Sequence, residues 1–216
     1  MKLYFSPLAC SLASRIACLE AGLEVDYLEV SLLKGRITKT GTPFSDVTLK
    51  QKVPVLETDD GELLTESAAV LQYIADHGNN DSLAPAPGTL ERYRLQELLS
   101  FVGTELHKGL LYPLFQADTP KEVKAYVHTK APIILNQLAQ ILEGKTWAMG
   151  ETFTLVDGYL SWALYLCNFA GFALPDTIKE YVERLKTRPS IAKSIAIEMQ
   201  LWQVQQDQLA KEKASA

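Results

Sequence analysis

Residues 53–76, VPVLETDDGELLTESAAVLQYIAD, decide the fold. Residues 53–57 and 63–64 are short apolar runs, and the Asp-Asp-Gly signal at 59–61 between them predicts a β-hairpin. Residues 66–76 follow with apolar side chains at the spacing of one helix face. The segment is therefore predicted to fold as strand, strand and helix.

The residues before this segment predict a strand–helix–strand unit. Lys2–Phe5 is an apolar run that Ser6-Pro7 ends, and from Ser11 apolar residues recur at helical spacing as far as Gly22. Residues 25–30 then alternate in part like a strand. Two strands joined through a helix pair in parallel. The combined order predicts an α/β domain of thioredoxin type over residues 1–78.

The rest of the chain is predicted to be helical. A linker rich in Gly, Pro and polar residues spans 79–88, an all-α domain spans 89–203, and a polar tail spans 204–216. Pro132 is expected to bend or split the second helix of that domain. The apolar stretch 158–174 is shorter than the ~20 residues of a membrane span. Because the cap pattern Thr154-x-x-Asp157 precedes it, we expect a buried central helix there.

Composition narrows the function classes. The chain has 216 residues, 47% of them hydrophobic, and a net charge of −5. No cluster of Lys and Arg is present, so no nucleic-acid partner is expected. No membrane is expected either, because the apolar stretch 158–174 is too short to span one. The N-terminus has no secretion pattern, and an odd count of three cysteines favours a reducing cytoplasm. No metal is expected.

Cys10 is the candidate reactive residue. It follows the first strand at the first turn of the first helix, where unpaired N–H groups and the helix dipole stabilise a thiolate. The alternative is a small buried core residue. Ala13 stands where a C-x-x-C motif needs its second cysteine, so a dithiol cycle is not expected. Cys18 and Cys167 lie in apolar helical stretches and are predicted core residues.

Two dipeptides suit a ligand with a peptide backbone and charged ends. If the Val53-Pro54 bond is cis, the Val53 N–H and C=O can pair with a ligand backbone by strand addition; a simple strand start is the alternative. Glu66-Ser67 begins the third helix, where N–H groups and a hydroxyl suit a carboxylate and Glu66 suits an ammonium. A routine helix start is the alternative there.

Four further candidates come from loops and from the fourth helix. Lys34 and Lys52 are candidate partners for a second carboxylate. His107 and Ser100 flank the buried face of the fourth helix, where a cleft between domains would open. A surface position is the alternative for the two lysines, and a surface or satisfied core position is the alternative for His107.

Six segments carry a resemblance that covers essentially the whole chain. Taken in order, they resemble the bacterial beta class of glutathione transferases, and the segments are MKLYFSPLACSL, KVPVLETDDGELLTES, YIAD, TELHKG, WAMGETFTLVDGYL and RLKTRPS. The resemblance implies an N-terminal thioredoxin-like domain followed by an all-α C-terminal domain. It also implies a homodimer that joins glutathione to hydrophobic electrophiles.

The resemblance also implies roles for individual residues. Cys10 would contact the glutathione sulfur or form a mixed disulfide with it, which adds thiol-transfer or peroxidase activity to conjugation. The other implied contacts are Ser11 at the thiolate, Val53 and cis-Pro54 at the cysteinyl backbone, Glu66 and Ser67 at the γ-glutamyl end, His107 and Lys108 lining the site, and Glu105 at the neighbouring subunit's site.

Three positions depart from the family pattern. Leu8 stands where the class usually has Gly, Ser100 where it often has Asn, and Phe5 where it often has Tyr. Leu8 is expected to alter the loop that carries Cys10, and Ser100 to weaken a glutathione contact.

Two rival functions stay open. One is a non-catalytic binding or regulatory protein with this fold. The other is glutathione-dependent isomerisation or dehalogenation, although the Ser-Ser-Cys type motif of the isomerases is absent from the first helix. The second-substrate pocket is expected to use Tyr112, Phe115 and Trp162.

Overall fold

The hairpin forms one edge of a mixed β-sheet in a computed structural model of the protein, which describes residues 1–31 and 35–214 and side chains as far as Lys211. Within these residues five strands lie in the order β3-β2-β1-β4-β5. Their bounds are β1 Lys2–Phe5, β2 Asp26–Ser31, β3 Ile37–Thr38, β4 Val55–Glu57 and β5 Leu63–Thr65.

The central strand fixes the register of the sheet. Leu3 of β1 lies opposite Tyr27 in the parallel pair with β2 and opposite Leu56 in the antiparallel pair with β4. Leu3 and Leu56 are fully buried. The predicted parallel pairing of the first two strands is therefore confirmed, and so is the predicted hairpin, because β4 and β5 are antiparallel.

Within the described residues, four helices complete the first unit. The helix α1 (Leu12–Glu20) packs against α3 (Ser67–Asp76), and the long C-terminal helix α9 (Pro189–Ala214) packs against α1. A short helix, α2 (Phe44–Val47), and strand β3 lie between β2 and β4, in a stretch for which the sequence pattern predicted no helix or strand. Phe44 is fully buried beside Val30 and Val55, which explains why this weak pattern is ordered.

The second unit is helical throughout. It opens with a 3₁₀ turn (Asp81–Leu83) and continues with α4 (Leu90–Phe101), a π-helical segment (Val102–Leu111), α5 (Tyr112–Phe115), α6 (Lys121–Leu142), α7 (Leu155–Phe169) and α8 (Asp176–Lys186). The fold class predicted from the sequence is confirmed. The helix α6 continues through Pro132 and is not split.

The helix α7 is the buried centre of this unit, as expected. Its first turn has the capping box that the Thr154-x-x-Asp157 pattern predicted. The Asp157 carboxylate accepts the Thr154 and Ala148 backbone N–H groups, both at 2.7 Å, and the Tyr181 hydroxyl at 2.5 Å. In the described part of the chain, no helix is both long enough and apolar enough to cross a bilayer.

The contacts between residues divide the chain into two units whose bounds differ from those of the domains predicted from the sequence. Residues Met1–Asn79 form one unit together with the C-terminal helix from Pro189, whereas Asn80–Arg188 form the other. The sequence pattern assigned residues 189–203 to the helical domain and 204–216 to a polar tail. The helix α9 instead continues to Ala214 and packs on α1. The boundaries proposed at 78 and 89 stay predictions.

Candidate active site

The loop that carries Cys10 is a tight turn. Ala9 N–H donates to the Ser6 carbonyl at 3.0 Å, with Pro7 and Leu8 between them. Leu8 has φ of +60°, a left-handed conformation that glycine adopts more readily. Proline followed by a residue with positive φ is the pattern of a type II turn. The Gly-to-Leu departure noted in the sequence thus falls on the position that favours glycine.

The Cys10 side chain points at the start of β4. Its thiol donates to the Val53 carbonyl, with 3.2 Å between Sγ and O, and the Val53-Pro54 peptide bond is cis. Cys10, Val53 and Pro54 are all buried, and α1 begins two residues after Cys10. The structure thus brings together the cysteine and the Val-Pro pair that the sequence singled out.

The other two cysteines are in a different environment. All three cysteines lie in the described residues as thiols. Burial raises the pKa of the Cys18 thiol and of the Cys167 thiol to about 12. Since the thiolate is the reactive form, neither residue is suited to chemistry at neutral pH. Their prediction as core residues agrees with their full burial.

Ser11 is fully buried and bonded within the loop. Its hydroxyl oxygen accepts the Ser6 N–H at 3.2 Å, and the hydroxyl also lies 3.3 Å from the Ser6 carbonyl. The structure thus places this side chain against Ser6, the first residue after β1. Its predicted role at the thiolate stays a prediction.

The start of α3 holds the second predicted pair. Ser67 is buried in its first turn, and Glu66 before it is exposed with φ of +72°. Lys50 donates to Glu66 Oε1 at 2.7 Å and to Thr65 Oγ1 at 2.9 Å. In this structure Lys50 therefore forms an ion pair with the Glu66 carboxylate, which was expected to bind the ammonium group of a ligand. Lys52 is exposed.

One predicted binding residue is not in the described part of the chain. Lys34 lies outside the described residues, so its role rests on the sequence alone.

The π-helical segment carries the predicted residues of the helical unit. His107 Nδ1 lies 2.8 Å from the Tyr159 hydroxyl, and the imidazole ring meets the Trp162 ring edge-on at 4.7 Å. Lys108 is exposed, with its ammonium 4.4 Å from the centre of the Tyr112 ring. A π-helical turn often marks a functional site because it redirects side chains.

Two more candidates lie on the same continuous helix. Ser100 is exposed and its carbonyl accepts the Thr104 hydroxyl at 3.0 Å. Glu105 is exposed, and Thr104 Oγ1 lies 3.3 Å from its carboxylate. These contacts are local, so the predicted ligand contacts of both residues stay predictions.

Three polar residues that were not predicted from the sequence contact residues of the candidate site. Lys50 contacts Glu66, Tyr159 contacts His107, and the buried Glu198 accepts the Leu8 N–H. For Glu198 a signal was available, because it continues the buried helical spacing of Ile191 and Ser194. A carboxyl on a buried stripe indicates a specific buried partner. Lys50 and Tyr159 gave no comparable signal.

The described residues hold no group of three His, Cys, Asp or Glu side chains placed to bind a metal. The candidate site instead combines a thiol, a backbone carbonyl beside a cis proline, and a helix start with a carboxylate.

Comparisons with known proteins fit a two-domain transferase of thioredoxin-like and helical parts. The model of the glutathione S-transferase N-terminal domain matches residues 9–77, and that of the C-terminal domain matches residues 104–196. The glutathione S-transferase GstA of Escherichia coli O157:H7 is 36% identical over 203 residues, which cover 92% of this chain and 98% of that protein. The chain therefore belongs to the glutathione S-transferase family.

Solved structures agree with the bacterial beta class. The beta-class glutathione S-transferase of Sphingomonas chungbukensis is 40% identical with a TM-score of 0.86, covering 92% of this chain and 98% of that one. A sphingomonad glutathione S-transferase complexed with glutathione is 38% identical with the same TM-score, covering 92% and 98%. The resemblance to this class is confirmed.

Proposed function

We propose that this protein is a cysteine-type glutathione S-transferase that binds glutathione and works in part through a mixed disulfide at Cys10. The observation that carries the proposal is the buried Cys10 thiol, 3.2 Å from the Val53 carbonyl, at the start of α1. A helix start favours a thiolate there. The high pKa of the other two thiols, about 12 for each, leaves Cys10 as the candidate for thiol chemistry.

Glutathione is the proposed co-substrate, as in the sphingomonad relative that was solved with it. The Val53 backbone would pair with its cysteinyl unit, and Glu66 with Ser67 would hold the γ-glutamyl end. Lys52 is the proposed partner of the remaining carboxylate. Lys34 is a second proposed partner of that carboxylate, and Ser100 is proposed at the glutathione contact where the family often has Asn. Ser11, Glu105, His107 and Lys108 keep the roles that the resemblance assigns to them.

Thiol transfer follows from this placement. The Cys10 thiolate attacks the glutathione sulfur of a mixed disulfide, the Cys10–glutathione S–S bond forms, and the other thiolate leaves with the electron pair and takes up a proton. A second glutathione thiolate then attacks the glutathione sulfur bound to Cys10. Oxidised glutathione forms, and the Cys10 thiolate is released.

Peroxide reduction uses the same residue. The thiolate attacks a peroxide oxygen, which gives a sulfenic acid at Cys10 and releases an alcohol or water. A glutathione thiol then displaces water from the sulfenic acid, and the resulting mixed disulfide is resolved by a second glutathione. Two glutathione molecules are oxidised for each peroxide.

Conjugation is the second proposed reaction. Bound glutathione, as its thiolate, attacks an electrophilic carbon of a hydrophobic compound, and the leaving group departs with the electron pair. Tyr112 and Phe115 are exposed aromatic residues on α5, and Phe115 stacks on Phe169 with 6.2 Å between ring centres. They are the proposed contacts of the electrophile, together with Trp162. We also propose a cytoplasmic homodimer.

The test compares Cys10→Ser with Cys18→Ser, a control at a buried thiol. Thiol transfer is measured with hydroxyethyl disulfide and conjugation with 1-chloro-2,4-dinitrobenzene, both with glutathione. Loss of the nucleophile is expected to lower thiol transfer by ~10² or more, with conjugation less affected. Full thiol transfer by folded Cys10→Ser would remove Cys10 from this role. If the wild-type protein fails to bind millimolar glutathione, the non-catalytic binding protein is favoured.

A further inference from the structure

Three aromatic side chains form an exposed row in the helical unit, and a cation lies at one end of the row. Tyr112 and Phe115 are three residues apart on α5, so their side chains are neighbours on the helix surface. Phe115 stacks on Phe169 at the end of α7, with 6.2 Å between ring centres and 28° between ring planes. The Lys108 ammonium lies 4.4 Å from the centre of the Tyr112 ring. We call these four residues the aromatic strip.

The exposure of the strip points to a ligand. Phe169 is 72% exposed and Phe115 is 44% exposed, although each is in contact with the other. Apolar side chains that lie singly at a surface need no explanation, whereas contiguous exposed ones often mark a binding site. Phe169 contributes little to stability in this position, because stabilisation by an apolar side chain scales with the area that it buries. A ligand that covers these rings removes that area from water.

The cation narrows the class of ligand. Lys108 is exposed, and an ammonium has three N–H donors, so it can face the Tyr112 ring and also bind an anionic group. Aromatic rings pair with other rings by offset stacking or by edge-to-face contact. An uncharged aromatic compound would leave the ammonium unused, and an inorganic anion would leave the rings unused. The combination fits a planar aromatic compound that carries a carboxylate or a sulfonate.

We propose that the aromatic strip binds planar aromatic compounds with an anionic group, which lies at Lys108 while the ring system lies along the three aromatic side chains. Lys108 and Phe115 are seven residues apart, which is about 10 Å of helix and comparable with the length of a substituted benzoate or naphthalene sulfonate. The proposal deepens the conjugation reaction of the proposed function and rests on it, because it names aromatic acids as the electrophiles. Binding itself needs no glutathione.

The reaction of such a substrate is substitution at the ring. The glutathione thiolate attacks the ring carbon that carries a halogen, the C–S bond forms, and the halide leaves with the electron pair of the carbon–halogen bond. The anionic group stays unchanged in the product. The strip therefore contributes the selection and the placement of the electrophile.

The first measurement is binding without glutathione, by ligand-observed NMR titration with 3,5-dinitrobenzoate and 3,5-dinitrobenzamide. The two compounds share one ring, have no leaving group and differ in charge. An ion pair with an exposed lysine is expected to make the benzoate bind about three- to five-fold more tightly than the amide. In Lys108→Met this ratio is expected to fall to about one. Equal affinities in the wild-type protein, or an unchanged ratio in Lys108→Met, overturn the proposal.

A matched control lies on α6. Lys130 and Tyr126 are exposed, and the ammonium lies 5.8 Å from the ring centre, so Lys130→Met removes the same charge from a similar pair. The ratio of benzoate to amide affinity in Lys130→Met is expected to equal that of the wild-type protein. An equal loss of preference in both variants would mean that net charge controls binding, and the proposal would then be wrong.

The second measurement is conjugation of glutathione with 4-chloro-3,5-dinitrobenzoate, with 4-chloro-3,5-dinitrobenzamide and with iodomethane, which has no ring. After division of kcat/KM by the uncatalysed rate, the wild-type protein is expected to favour the benzoate over the amide by about three- to five-fold. Phe169→Ala removes a stacking surface, so both aromatic electrophiles are expected to lose at least about five-fold more in kcat/KM than iodomethane does. Equal losses for all three compounds overturn the assignment of Phe169.

The two measurements separate this proposal from the proposed function. If the protein conjugates none of the electrophiles but prefers the benzoate in binding through Lys108, conjugation fails and the aromatic strip stands as a binding site. If it conjugates the electrophiles without preference for the benzoate, conjugation stands and the proposal for the strip is wrong.

Discussion

Native Cys18 and Cys167 are expected to react at least about a thousandfold more slowly than the same residues in the unfolded chain. Burial raises the pKa of each thiol to about 12. An unperturbed thiol, with a pKa of about 8.5, is roughly one-tenth ionised at pH 7.5, whereas a thiol at about 12 is ionised to a few parts in 10⁵. The thiolate is the reacting form, so ionisation alone separates the rates by about three orders of magnitude.

The assay uses Cys10→Ser, in which these two residues are the remaining cysteines. The variant is exposed to iodoacetamide at pH 7.5 in buffer and in concentrated urea, and each cysteine peptide is quantified over time by mass spectrometry. In the native protein the rate is expected to rise about tenfold per pH unit, because the thiolate fraction does so below the pKa.

Two results would refute this reasoning. One is a native rate within about tenfold of the unfolded rate at either cysteine. The other is modification of Cys18 or Cys167 ahead of Cys10 in the native wild-type protein. Either would show that burial does not suppress these thiols, and the assignment of thiol chemistry to Cys10 would lose its selectivity argument.

Three further outcomes are expected. Asp157→Ala takes the acceptor from four buried donors, so the free energy of unfolding in urea should fall by about 3 kcal/mol or more; a loss below about 1 kcal/mol would contradict this. Burial, opposed by Arg15, raises the pKa of Glu198 to about 7. Protonation of this carboxyl therefore favours the folded state, and its contribution to the free energy of unfolding is full below about pH 4.5 and is lost as the pH rises towards 7. Over that range the wild-type protein should lose more stability than Glu198→Gln, by up to ~1.4 kcal/mol per pH unit. Parallel stability profiles of the two proteins would refute this. Lys50→Met removes the exposed ion pair of Lys50 with Glu66, so KM for glutathione should fall by up to about five-fold, and an increase would count against Glu66 as the ammonium site.

The fold was predictable because its signals are local and agree with one another. The Asp-Asp-Gly turn at 59–61, the helical spacing after Ser11 and the Thr154-x-x-Asp157 cap each specify one element by short-range chemistry. The helix α2 was not predicted because four residues are too few to show the hydrophobic spacing of a helix, and turn signals surround them. Its order comes from the burial of Phe44, a tertiary effect.

The site was predictable where one residue type implies a chemistry. A cysteine at a helix start and a Val-Pro pair before a strand point to the same place, and the structure brings Cys10 and Val53 within hydrogen-bond distance. Helical spacing indicated that Glu198 is buried, but the partners of Glu198 and Lys50 were not predictable. These contacts join residues far apart in the chain or exposed side chains, and periodicity does not say which residues will meet.

Selective reaction of the Cys10 thiol with glutathione can be tested in a single experiment. The purified protein is incubated with oxidised glutathione, and the modified residue is mapped by mass spectrometry. We expect a single adduct of glutathione mass on Cys10, with Cys18 and Cys167 unmodified. No adduct, together with no thermal stabilisation by reduced glutathione, would contradict the claim and leave the fold without the proposed chemistry.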